Sequence, residues 1–155
     1  MSIEEKLAMF GLKLPEPSQP IGSYLSCIVS GNLLFISGVI PIKEGKVITG
    51  RFGKEIQTID AKEIGTLIVL TMLSNIKKEL GSLEKISHFI KIEGFVNATE
   101  EFMEHPIVLN GISDLLVQIF GESGVHARTA IGVNSLPKGA CLEVSAIVEI
   151  TGREQ

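Results

Sequence analysis

The chain has 155 residues, 14 lysines and arginines against 18 acids, a net charge of −4 and 45% hydrophobic residues, a length that suits one domain hiding roughly 70% of its unfolded surface. The negative balance and the lack of a basic run disfavour nucleic acid as a partner, and the longest purely apolar run, Leu67 to Leu70, is too short to enter a membrane as a span. Three histidines and two isolated cysteines have no metal-ligand spacing, so neither a metal nor another cofactor is expected, and Glu4-Glu5 in place of basic residues points to a cytoplasmic protein.

Ser2 and Glu5 have the spacing of a capping box at the head of a short helix. Leu7, Met9 and Phe10 form its apolar side, and Gly11 is its stop. Three of the six prolines fall between Pro15 and Pro20, which predicts an extended connector. Residues 1–20 are therefore expected as an arm laid on a domain of residues 21–155. Ser23–Ser30 and Leu33–Ile40 read as strands joined by a Gly31-Asn32 hairpin turn. Pro41 and Lys43-Glu44-Gly45-Lys46 end the second strand. A short strand around Val47 and an irregular stretch through Gly50 and Gly53 follow.

Residues 59–80 carry the strongest helical period, in Ile64, Leu67, Ile68, Met72, Leu73, Ile76 and Leu80. Thr58 or Asp60 is the expected N-cap and Gly81 the stop. Val69 and Leu70 widen the stripe, so either the sheet wraps this helix or another element covers its second side. Residues 86–97 read as a long strand, with a polar turn at Thr99-Glu100. Pro106 opens another helix, whose buried stripe is Ile112, Leu115, Leu116, Ile119 and Phe120 and whose end is Gly121. Strands 128–134 and 141–150 close the chain as a hairpin around residues 135–139. This order predicts an α+β fold, a mostly antiparallel sheet with two helices on one face. The other face, apolar at positions such as Phe35, is left bare, and self-association is the economical way to cover it.

Phosphate-binding glycine loops, dinucleotide fingerprints and nucleophile elbows are absent. Cys27 and Cys141 lie in apolar runs as small buried hydrophobes. The chemical candidate is Arg128, at the mouth of the strand Thr129-Ala130-Ile131-Gly132-Val133. An arginine there requires an anion or solvent. From spacing alone, a half-buried ion pair with Glu143 across the hairpin is the favoured account, and an external anion the sharper one. His126 is a possible acid or base near neutrality, or a loop histidine without a role. Asn110 and Asp114 share a solvated helix face, His105 is a helix-start residue, and Lys91 and Glu93 form a cross-strand charge pair.

Ala127-Arg128-Thr129, Leu136-Pro137, Leu142-Glu143-Val144 and Ala146-Ile147 together resemble the signature of the YjgF/RidA family (reactive intermediate/imine deaminases). Ile21-Gly22-Ser23-Tyr24 and Ile36-Ser37-Gly38 with Pro41 extend the resemblance upstream, in the family's order. It implies a fold like chorismate mutase of the bacillar type and a homotrimer with three clefts between subunits. In those clefts Arg128 would hold the carboxylate of a small 2-imino or 2-keto acid, and Glu143 would orient the attacking water or move its proton. Tyr24, Ser37, Gly38 and Ala130 would line the cleft. The implied reaction is hydrolysis of an enamine or imine to a 2-keto acid and ammonia. Ser23, Val39, Ala130, Ser145 and the arm depart from the short deaminases and resemble the longer branch labelled endoribonuclease L-PSP-like. A non-catalytic trimer binding small carboxylates, and an endoribonuclease with His126 as its acid or base, are the alternatives.

Overall fold

The computed structural model describes residues 1–20 and 22–152; Ile21 of the first motif lies outside them. Strands β1 (Cys27–Ser30) and β2 (Leu33–Val39) form the expected hairpin, followed by a ribbon of β3 (Ile42–Lys43) and β4 (Lys46–Val47). Glu44 and Gly45 turn that ribbon with φ of 51° and 78°, the left-handed conformation that a two-residue hairpin loop needs. Helix α2 (Ala61–Leu80), strand β5 (Ile86–Asn97), helix α3 (His105–Phe120), and strands β6 (Ala127–Val133) and β7 (Leu142–Ile150) complete the domain. The first strand is shorter than expected: its ladder with β2 begins at Cys27, and Ser23–Leu25 lie outside it.

The main sheet runs β1-β2-β7-β5-β6, antiparallel except between β5 and β6. The expected C-terminal hairpin is therefore wrong: β6 and β7 flank β5 on opposite sides. The ends of their connector are pinned to either side of β5's last residues. Asn97 N–H donates to Cys141 O (3.0 Å), and Ala98 N–H donates to Val133 O (3.2 Å). A short connector alone does not make a hairpin when a central strand offers both edges. Helix α3 supplies the crossover that the parallel β5–β6 pair requires.

Alternation sorts the strands into two faces. Leu34 and Ile36, Phe89 and Ile92, and all five of Leu142, Val144, Ala146, Val148 and Ile150 are buried, under α2 and α3. Leu109 and Ile112 of α3 and Ile68, Met72 and Ile76 of α2 complete this core. Truncating such a side chain to alanine is expected to cost about 2–5 kcal/mol. The opposite face carries Ile28, Phe35 and Ile131, which are 58%, 39% and 45% exposed. It is the bare face that the sequence implies.

The second cover that α2 needs comes from two directions. Helix α3 meets it where Gly65 faces Gly111: a Cβ on Gly65 would lie 2.6 Å from Gly111 C, and one on Gly111 2.4 Å from Ala61 O. The helix backbones touch there. On another side lies the arm. Helix α1 (Ile3–Met9) has the expected capping box and buries Leu7. Ser74 Oγ donates to Pro15 O (2.6 Å), Ser18 N–H to Asn75 Oδ1 (2.8 Å), and Asn75 Nδ2 to Ser18 Oγ (3.1 Å). Ser74 and Asn75 are each only 3% exposed, and the arm satisfies their polar atoms. Asp60 is the N-cap of α2, one of the two expected positions, but it makes no side-chain cap bond to the helix: its carboxylate accepts from Gln57 N–H (2.9 Å).

Candidate functional site

Arg128 is paired in register with Ile92, so its side chain emerges on the helix-covered side of the edge strand. Helix α3 meets it there. Nη1 donates to Asn110 Oδ1 (2.9 Å) and to Ser113 Oγ (3.1 Å). Ser113 is tied in turn to His126 Nε2 (2.8 Å), and His126 Nδ1 lies 2.6 Å from Gly124 O. A carbonyl can only accept, so Nδ1 carries the proton, Nε2 accepts from Ser113, and Ser113 Oγ accepts from Arg128. Burial pushes the His126 pKa down; the Gly124 bond opposes this, and the charges of Arg128 and His88 reinforce it. The neutral ring is thus the resting form at pH 7.

The sequence reading of Arg128 needs one correction. No ion pair joins Arg128 to Glu143, and no ion pair among the described residues includes Arg128. Both of its contacts are neutral, and both lie on one nitrogen. Asn110 is exposed on α3, as its polar helix face implies, and is also one of those contacts. Its spacing of three from Ser113 places both on one helix face, a signal that was present in the sequence but had no partner to point to.

Glu143 lies on the open side of the sheet, in register with Phe95. Opposite it, β2 has a bulge: Ile36 pairs with Ala146 but Val39 pairs with Val144, so three steps on β2 match two on β7. Ser37 and Gly38 occupy the bulge, a device that re-aims side chains beside sites. The carboxylate fills the space that a side chain at 38 would take: a Cβ on Gly38 would be 2.4 Å from Glu143 Oε1. Partial burial raises the Glu143 pKa. Ser37 Oγ donates to Leu25 O (2.6 Å) and its N–H to Ser26 O (2.9 Å), which fixes the bulge against the lead-in to β1. Tyr24, Ser37 and Gly38 line a pocket of about 40 Å³ together with Ser18, Gln19 and Pro20 of the arm.

The structure therefore brings Tyr24, Ser37, Gly38 and Glu143 into one group and Arg128, Ala130 and His126 into another. The two are separated by the width of β5 and by the sheet itself. One smaller expectation changes and another, the burial of the two cysteines, holds. Lys91 and Glu93 pair with each other along one strand (3.2 Å), and Glu93 also accepts from Ser145 Oγ on β7 (3.3 Å). Cys27 and Cys141 are buried and free, with thiols pushed up to about 12 chiefly by burial, which suits inert packing. Among the described residues, no group of three or more His, Cys, Asp or Glu is placed to hold a metal ion, and no helix is long and apolar enough to cross a membrane.

Residues 4–150 match the family model described as YjgF/chorismate mutase-like, putative endoribonuclease. Protein TCP17 of Trypanosoma cruzi is 36% identical over 150 residues, covering 96% of this chain and 94% of that protein. A 2-iminobutanoate/2-iminopropanoate deaminase of Dermatophagoides farinae is 27% identical over 90% of this chain and 94% of its own. Among solved structures, the protein Atu1372 of Agrobacterium tumefaciens, of unknown function, superposes with a TM-score of 0.89 at 40% identity, covering 96% of this chain and 92% of that one.

Proposed function

The chain belongs to the YjgF/chorismate mutase-like family, and on that premise we propose that it hydrolyses small 2-imino acids to 2-keto acids and ammonia in a cleft shared by two copies of itself. The observation that carries this reading is the state of Arg128. Its guanidinium is held on one nitrogen by Asn110 and Ser113, and no acid of its own chain pairs with it among the described residues. A fork held this way is ready for a two-pronged grip on a carboxylate. The relative named a deaminase supports that substrate class.

Glu143 is the complementary half. Hydrolysis of a protonated imine needs water at C2, a place for the water's proton, and a proton for the departing nitrogen. A half-buried carboxylate with a raised pKa fits those transfers. It takes a proton as oxygen adds to C2, then returns one to the amino group. The C–N bond breaks as the oxygen becomes the carbonyl, its remaining proton passes back to the Glu143 carboxylate, and ammonia leaves. Positioning supplies much of the gain, because the imine is already electrophilic. We read His126 as a positioning group, since both of its ring nitrogens are occupied.

One chain does not bring Glu143 to Arg128, so the reading calls for a closed ring of copies whose contact surface includes the exposed Ile28, Phe35 and Ile131. A homotrimer is the form that the family resemblance implies. The test follows 2-iminobutanoate decay by semicarbazide trapping. Wild type should shorten the imine's lifetime, and Arg128→Ala should lose roughly 100-fold of that effect. Equal lifetimes with wild type, Arg128→Ala and buffer would remove the deaminase reading, and stoichiometric keto-acid binding without turnover would replace it with a carboxylate binder.

A further inference from the structure

A second arginine, at the far end of β6, is held in a similar posture and plays no part in the proposed reaction. The loop that carries Arg51 is sewn to the end of β5: Phe52 N–H donates to Asn97 O (2.8 Å), and Thr99 N–H donates to Phe52 O (3.0 Å). Phe52, fully buried, anchors it. Arg51 itself is half-buried. Its Nη2 donates to Ala98 O, and its covered Nε has no acceptor. No ion pair among the described residues includes it. The neighbouring acid is committed elsewhere: Glu55 Oε2 accepts from Arg51's own backbone N–H (2.9 Å), and Oε1 lies 3.8 Å from Lys54 Nζ. A half-buried cation without an acid partner is an unusual thing for a fold to keep.

This guanidinium lines a cleft of about 590 Å³ with Thr99, Phe102, His105, Gly132 and Asn134. The His105 ring stands edge-on to Phe102 at 5.3 Å and lies over Gly132, where a Cβ would be 2.6 Å from its Nε2. Any side chain at 132 would displace that ring. The cleft thus offers a fixed guanidinium, an imidazole, an amide and an aromatic wall, four residues along the edge strand from Arg128, or roughly 13 Å. Glu100, exposed at the rim, sets the charge the site accepts. It would repel a dianion such as a phosphate ester more than a monoanion.

We propose that this cleft is a second anion site, taking the carboxylate of a small monoacid between Arg51 and His105, separate from the Arg128 site and independent of the reaction assigned to it. The test is calorimetric titration of the Arg128→Ala protein with 2-oxobutanoate and, separately, with inorganic phosphate. The expected result is one equivalent of 2-oxobutanoate per chain, at least about tenfold tighter than phosphate, and abolished by the further change Arg51→Gln. Because Arg51→Gln also removes the bond to Ala98, His105→Phe gives a second reading. It keeps the ring against Phe102 and should weaken binding about fivefold or more. No heat with Arg128→Ala, tighter phosphate than keto acid, or an affinity indifferent to His105→Phe would each overturn the proposal. None of these results touches the imine-trapping outcome.

Discussion

The two faces of the sheet hold their polar groups under opposite conditions. On the covered face, Arg128 ends a chain of three side chains and a backbone carbonyl, each bond between 2.6 and 3.1 Å, so its orientation is fixed by its own subunit. On the open face, Glu143 makes no ion pair among the described residues and relies on the absence of a side chain at Gly38 for its place. A charge fixed by neutral partners keeps its own attraction for an anion. A carboxylate left half-dry without a partner holds its proton more readily. The pairing of a rigid binding group with an adjustable proton carrier is what the proposed reaction requires, and because the sheet separates the two within one chain, that proposal needs them to come from different copies.

The sharpest way to break this comparison is to mix two dead proteins. Arg128→Ala and Glu143→Gln should each be nearly inactive, whereas a cyclic trimer assembled at random from equal amounts should recover roughly a quarter of wild-type imine hydrolysis, one competent cleft per mixed ring. No recovery in verified mixed oligomers would mean that one chain supplies both groups. Next in size, Gly38→Ala should displace the Glu143 carboxylate and lower kcat roughly 100-fold, with little change in keto-acid affinity, since Arg128 is untouched. Ser113→Ala should do the reverse, raising KM about fivefold with a smaller effect on kcat.

The smallest effects concern proton linkage, and the faces should differ in sign. The fold favours neutral His126, so the unfolded chain binds the extra proton. Stability should therefore fall as pH drops from 6.5 toward the lower folded pKa, and His126→Gln should flatten that slope in urea midpoints. Glu143 has a raised folded pKa, so its anion is disfavoured in the native state. Glu143→Gln should raise the urea midpoint at neutral pH, and the gain should shrink as pH falls through that raised value.

Helices and central strands were legible because their apolar periods run long: the prediction of 86–97 matches β5 residue for residue, and the 59–80 helix differs only at its first turn. Pairing was not legible. The five residues 135–139 suit a hairpin, and nothing local says that Asn97 and Ala98 will divide the two strands between them. That error also produced the expected Arg128–Glu143 pair. Arg128 was singled out by its chemistry in an apolar strand, but Asn110 and Ser113 required the α3 crossover before their helix face had anything to meet. The bulge at Ser37-Gly38 was visible only as a motif, since a bulge is a property of two strands.

The contact of Gly65 with Gly111 has a consequence far from α2. Asn110, the residue before Gly111, holds Arg128, and Ser113 follows two positions later. A methyl group on Gly65 would meet backbone at 2.6 Å and could be admitted only by wedging the helices apart. Because α3 moves as a rod, such a wedge would lift both anchors from the guanidinium at once. A substitution on the far helix, touching neither ligand nor site, would then read out as lost grip on the carboxylate.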